Sequence, residues 1–288
     1  MHHICRLLAL SALLPLLSTA PCLADDLYAE DRPHWRKNLF KRVVTDQKFL
    51  ATTWMPYEAR RPSFFIPLSL GALTAIGSNA ERGGLDIELS SSIHDWTVDN
   101  GGSGFASSLS TLGDGATGMA LVGSTYLIGR WSGNSRLARA SSLSAEAMLN
   151  TGIWSTLLKS TTRRARPSSA LYGGTFNAGG PGIEPTSFPS GHAMGAFAVA
   201  TVFAHEYRER RWVVGLVYGS AGLIAFSRVG LGRHYVGDVV VGSVLGRSLG
   251  RMVVARDSGL EGGSFSDRFK PIFEPTRQRY GIQYSHSW

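Results

Sequence analysis

Six apolar segments of helical length dominate the chain, near residues 64–77, 116–129, 144–158, 193–207, 213–226 and 236–254. Polar or glycine-rich loops separate them, and strand-like alternation is scarce over the same stretch. Segments of this kind bury their apolar stripes by packing on one another. The expected class is therefore all-α, a helical bundle of about six core helices. Composition supports a large core: 43% of the 288 residues are hydrophobic and 17% charged, which excludes a disordered chain. Glycine, at 34 residues, is about 12% of the chain against a usual ~7%. Gly242, Gly246 and Gly250 recur every four residues on the last segment, a spacing that lets a second helix approach closely.

The clean apolar runs are roughly 12–15 residues, short of the ~20 that cross hydrocarbon. Glu146, Asn150 and His205 lie within reach of them, and mean hydropathy is −0.01. These lengths point to a soluble or peripherally bound globule, and the stretches 193–203 and 213–226 keep a spanning alternative open. The formal charge of +8 favours anionic partners. No zinc spacing, helix-turn-helix pattern or aromatic RNA-binding motif accompanies it, which argues against nucleic acid.

Residues 1–24 read as a secretory signal. A short n-region precedes an apolar h-region over 7–17, and Cys22-Leu23-Ala24 places small residues before Asp25. An uncleaved anchor is the alternative. Cleavage there removes both cysteines, Cys5 and Cys22, so the mature chain has no disulfide and no thiol catalysis. The expected location is the periplasm, with membrane association left open.

Residues 25–62 form a polar, aromatic arm. Trp35, Leu39 and Val43 recur at i, i+4 and i+8 with Phe40 beside them, while Arg36, Lys37, Lys41 and Arg42 fill much of the other side. This predicts a basic amphipathic helix over 34–44, its stripe docked on the main domain or resting on an anionic membrane. The main domain spans 63–256. The tail, 257–288, is polar, holds Pro271 and Pro275, and is expected to be irregular; alternation at Ile282, Tyr284 and Trp288 fits a terminal strand.

Three clusters carry chemistry. In the first, Lys159 precedes Arg166-Pro167 by seven residues. That is about two helical turns, which sets both cations on one face, with Pro167 marking the helix end. In the second, Phe188-Pro189-Ser190-Gly191-His192 leads into an apolar segment. Ser190 suits an N-cap, Gly191 permits close backbone approach, and free N–H groups at a helix start form an anion site beside His192. In the third, Ser227-Arg228 is followed by His234 and, four residues on, Asp238. On a helix the last two share a face, where a carboxylate fixes the imidazole tautomer and frees the other nitrogen to attack. Together these supply three cations, a backbone anion cradle, an oriented imidazole and a second imidazole, the parts needed for phosphoryl transfer.

Lys159-x6-Arg166-Pro167, Pro189-Ser190-Gly191-His192 and Ser227-Arg228-x5-His234-x3-Asp238 resemble the three signature motifs of the type-2 phosphatidic acid phosphatase (PAP2) and vanadium haloperoxidase superfamily, with no departure at any signature position. The resemblance covers about residues 63–254. It implies a core of bundled helices and metal-independent hydrolysis of a phosphomonoester or lipid phosphate or pyrophosphate, with no cofactor. His234 would be the nucleophile that forms a phosphohistidine, Asp238 its orienting partner, and His192 the general acid and then base. Lys159, Arg166 and Arg228 would neutralise phosphoryl oxygens, and Ser190 and the Gly191 N–H would donate to them. Two alternatives share the pocket: a vanadium-dependent haloperoxidase and a non-catalytic protein that binds anionic lipid.

Overall fold

The computed structural model describes residue 35 and residues 38–78, 83–179, 186–258, 269–274 and 279–284. The expected signal segment 1–24, both cysteines, Arg36 and Lys37 lie outside the described residues. The six apolar segments become α3 (Pro62–Ile76), α6 (Gly115–Trp131), α7 (Ser135–Thr162), α8 (Gly191–Glu206), α9 (Arg211–Gly230) and α10 (Val236–Asp257). Preceding them is α1 (Leu39–Phe49), which runs through a π turn at Leu50–Trp54 into the short α2 (Met55–Glu58). Between α3 and α6 lies a helical pair, α4 (Leu85–Asp99) and α5 (Ser103–Leu112). The sequence reading missed this pair because its polar, serine-rich composition shows no long apolar run.

Local chemistry starts several of these helices where they begin. Asn38 accepts from the Phe40 N–H, Asp114 from those of Ala116 and Thr117, and Asn134 from that of Leu137. Each satisfies a donor that the first turn leaves open. The core forms where α8 packs between α7, α9 and α10, around Leu143, Met194, Val202, Leu249 and Met252. The glycine spacing on α10 is used as expected. A Cβ at Gly242, Gly246 or Gly250 would collide with the backbone carbonyl of Ser190, Met194 or Ala198 respectively. Backbone therefore meets backbone along the α8–α10 seam.

The arm docks on the bundle through Trp35 and Val43, both buried. Two details differ from the expected stripe. Phe40 is 74% exposed, and Arg42 points inward to Glu146 at 2.8 Å and to the Ser142 hydroxyl. Buried carboxylates on neighbouring helices, absent from the local pattern, draw a basic residue into the interior. The tail also departs from expectation. It forms an antiparallel hairpin, β1 (Phe269–Glu274) with β2 (Arg279–Tyr284), paired from Phe269 opposite Tyr284 to Glu274 opposite Arg279. Pro271 sits within β1 of this two-stranded sheet, where it costs little because every strand is an edge strand.

Many large apolar side chains face outward, among them Phe65, Leu70 and Ile76 of α3, Trp131 of α6, Ile153 of α7 and Trp212 of α9. Among the described residues one helix, Arg211–Gly230, is long and apolar enough to cross a membrane.

Candidate active site

The site lies at one end of the bundle, where α7 and α9 finish and α8 and α10 start. The first cluster is built differently from its expected form. α7 stops at Thr162, and Arg163 takes a left-handed conformation (φ 45°). Lys159 is thus helical, while Arg166 stands in the loop that follows. Pro167 opens a 3-10 turn and does not mark the helix end. The two cations are not on one helix face; the loop brings Arg166 back, where its Nε donates to Thr186 at 3.0 Å.

In the second cluster Ser190 is the N-cap residue of α8, but its hydroxyl caps nothing. It is fully buried and has no partner among the described residues. The Ser190 N–H donates to the Asp238 carbonyl at 3.0 Å, tying the starts of α8 and α10 together. A Cβ at Gly191 would stand 3.0 Å from the Ser155 hydroxyl and 3.6 Å from the Lys159 ammonium. Only a bare backbone leaves that space open to an anion.

The third cluster straddles the end of α9 and the start of α10. Arg228 is buried and donates to the Ser110 hydroxyl of α5. His234, 1% exposed, sits in the turn before α10 and not on the helix; its N–H reaches the Arg228 carbonyl at 3.2 Å. The expected imidazole–carboxylate hydrogen bond is also revised. Nδ1 of His234 lies 2.7 Å from the Ser187 carbonyl and 3.7 Å from the Asp238 carboxylate. A carbonyl only accepts, so Nδ1 carries the proton and Nε2 holds the lone pair. The backbone of Ser187 sets the tautomer, and Asp238 supplies nearby negative charge. Asp238 accepts from the Ser187 hydroxyl at 2.5 Å, the Tyr235 N–H at 2.9 Å and Arg164 at 2.6 Å.

Electrostatics bind the three clusters together. Burial lowers the pKa of Lys159, and the charges of Arg166 and Arg228 lower it further. Burial, then Arg166 and Arg233, bring Arg228 down to about 10. His192 falls to about 4 through burial and the fields of Arg228, His234 and Lys159, with Asp114 opposing. His234 is likewise lowered by burial, against the pull of Asp238. Burial alone would raise Asp238, but Arg164, His234 and Ser187 outweigh it and hold the carboxylate at about 2. With both imidazoles neutral, the site holds mutually repelling cations, an arrangement that a bound anion relieves. Beside His234 a cleft of about 500 Å³ opens between α4 and residues 229–235, rimmed by Ser90, Ser91, His94 and Arg233.

Residues 142–258 match the model of the PAP2 superfamily. The matched segment is about two fifths of the chain. A lipid A 1-phosphatase of Porphyromonas gingivalis is 37% identical over 92 residues, which are 29% of this chain and 21% of that protein. The match thus takes in about a fifth of the relative's length. Two solved structures resemble the chain. The crystal structure of Aquifex aeolicus LpxE gives a TM-score of 0.48 at 23% identity, covering 60% of this chain and 97% of that one. That of the first transmembrane PAP2 type phosphatidylglycerolphosphate phosphatase from Bacillus subtilis gives 0.49 at 22%, covering 69% and 96%. All three signature clusters lie inside the PAP2 segment.

Three contributors escaped the sequence reading. Arg164 occupies one of the unspecified positions between Lys159 and Arg166, and Ser187 acts largely through its backbone. Asp86 comes from α4, outside the PAP2 segment. The one signal for Asp86 is an acid between two apolar residues, Leu85 and Ile87, at the start of a helix.

Proposed function

We propose that the chain is a membrane-associated phosphatase that hydrolyses a lipid phosphate or pyrophosphate through a phosphohistidine on His234. The observation that carries this is the surplus of positive charge around Gly191. Beyond the effect of burial, Arg166 lowers the pKa of Lys159 and Arg228, and Arg228 and Lys159 lower that of His192, at a point where two imidazoles and a helix N-terminus meet. A phosphoryl group satisfies all of them at once.

In the proposed sequence the Nε2 lone pair of His234 attacks phosphorus in line with the ester oxygen. The P–N bond forms as the P–O bond breaks, and His192 protonates the departing oxygen. Nδ1–H remains on the Ser187 carbonyl, and the Asp238 carboxylate offsets the positive charge that develops on the ring. Lys159, Arg166, Arg228, the Gly191 N–H and the otherwise unpartnered Ser190 hydroxyl receive the phosphoryl oxygens. His192 then takes a proton from water, whose oxygen attacks phosphorus; the P–N bond breaks, its electron pair returns to Nε2 of His234, and phosphate is released. Burial and the neighbouring cations keep His192 neutral; an incoming dianion offsets the cations, so substrate itself brings the proton to the general acid.

The lipid part of the proposal is supported by the outward-facing apolar side chains, which form a surface suited to acyl chains, and by the name of the Porphyromonas gingivalis relative. Purified protein in detergent should release phosphate from an aryl phosphate in the presence of EDTA, with inhibition by vanadate. His234→Ala should lower kcat on the order of 10⁴-fold or more with helicity unchanged. Retained turnover in that variant would remove the nucleophile assignment. A panel of lipid phosphates against sugar phosphates and nucleotides tests the substrate class; equal rates on the water-soluble compounds would favour a general acid phosphatase.

A further inference from the structure

We propose that Asp86 and Arg164 are positioning residues for the nucleophile, acting on His234 through Asp238; this rests on the phosphohistidine reading above. Arg164 is fully buried. Its guanidinium donates to Asp238 at 2.6 Å, to Asp86 at 2.8 Å, and to the Ala75 and Gly174 carbonyls at 3.2 Å each. The ring of Tyr235 lies 4.4 Å from its central carbon and that of Phe176 5.3 Å. So held, the guanidinium has one orientation. It engages one oxygen of Asp238 and leaves the other for the Ser187 hydroxyl, the Tyr235 N–H and the His234 ring.

Asp86 extends the chain of contacts to α4. One of its oxygens meets Arg164, and the other accepts the Gly237 N–H at 2.7 Å in the first turn of α10. The same carboxylate therefore fixes both the guanidinium and the start of the helix that carries Asp238. Two carboxylates and one guanidinium leave one net negative charge beside the imidazole. The other charged or titratable groups near His234 are Arg228 of α9, Lys159 of α7 and His192 of α8, with Arg233 and His94 lining the cleft beside it. The cations among them disfavour a cationic ring. The net charge of the Asp86–Arg164–Asp238 chain is then what stabilises the imidazolium character of the phosphohistidine. Burying three charges is costly, and an apolar trio would hold the helices as well.

The test uses the full chain in detergent. Asp86→Asn keeps the shape and the acceptor for Gly237 but removes one negative charge, whereas Arg164→Gln removes the positive one. Both should lower kcat on the order of 10- to 100-fold through lost orientation, with KM moving less than about threefold. Attack requires neutral His234, so the acid limb of kcat reports its protonation. That limb should move to lower pH in Asp86→Asn and to higher pH in Arg164→Gln, by about half a unit each. Opposed shifts cannot arise from a loosened fold. Shifts in one common direction, unmoved limbs, or a loss carried by KM would overturn the proposal. If Arg164→Gln is recovered unfolded by circular dichroism, Arg164→Lys takes its place. It keeps the charge but not the fork, so kcat should fall with the limb unmoved, and a moved limb counts against the proposal. Failure to trap phosphohistidine in the unsubstituted chain overturns both readings; trapping it while the variants behave as wild type overturns the positioning role alone.

Discussion

The two ends of the bundle bury charge in opposite ways. At the end away from the site, guanidinium groups meet carboxylates. Arg139 faces Asp257 at 2.5 Å and Glu206 at 3.5 Å, Arg256 faces Asp46 at 2.6 Å and Arg251 faces Glu58 at 3.1 Å. At the other end Arg164 is matched in the same manner, by Asp86 and Asp238. Lys159 and Arg228, however, have no carboxylate within ion-pair distance among the described residues. Balanced pairs hold helices in register and ask nothing of the surroundings. Unbalanced cations, kept from water by the same helices, are stable only with an anion supplied from outside. The difference separates scaffold from site without reference to any motif.

Substitutions at the two ends should therefore fail differently. Arg139→Ala strands Asp257 and Glu206 in the interior and should cost about 3–5 kcal/mol of stability, measured by denaturant unfolding, while kcat per folded molecule stays near wild type. Arg228→Ala should do the reverse, lowering kcat/KM on the order of 10²–10³-fold, or ~3–4 kcal/mol, with the unfolding midpoint held or raised because like-charge repulsion is relieved. A stability loss at Arg228 as large as at Arg139 would erase the distinction. Gly246→Ala belongs to neither class. It forces the α8–α10 seam apart and should cost about 1–3 kcal/mol of stability, with a fall in kcat as well, because the seam aligns both ends.

Protonation gives finer tests. His192 sits at about 4 in the empty site, so above that pH a dianion must draw a proton onto it. Calorimetric titration with vanadate or phosphate at neutral pH, in buffers of different ionisation enthalpy, should show uptake of up to about one proton, lost in His192→Asn. At the distal end Glu146 is raised to about 9, by burial first and by neighbouring Asp46, against the pull of Arg42. Its folded pKa exceeds its unfolded value, so the associated stability is fully present below the unfolded pKa and is lost as pH rises through about 9. Glu146→Gln cannot titrate and should flatten the decline in stability between about pH 5 and 9. An unchanged slope would place the proton elsewhere.

The six apolar segments were legible because burial on one side of a helix leaves a periodic trace in the sequence. The α4–α5 pair left none: it covers the site with serine, threonine and glycine, and its one decisive residue, Asp86, acts across the fold. The signature positions of the site were legible as residue types, and their architecture was not. Lys159 and Arg166 were assigned to one helix face because spacing carries no record of a left-handed residue at Arg163. His234 was paired with Asp238 because both are side chains, whereas the closer partner is the Ser187 carbonyl, which any residue supplies. The inward turn of Arg42 escaped for the same reason as Asp86: its carboxylate lies on another helix.

The glycine seam bears on how this domain changes over evolutionary time. Because α8 and α10 touch through main chain, neither can slide or rotate to accommodate a new side chain between them. The offset between His192 and His234 is thus specified by geometry laid down over the length of two helices, starting at Ser190 in the site itself. Selection for a new leaving group is then steered toward the covering loops and the α4–α5 pair, which can diversify while the reacting centre stays as it is.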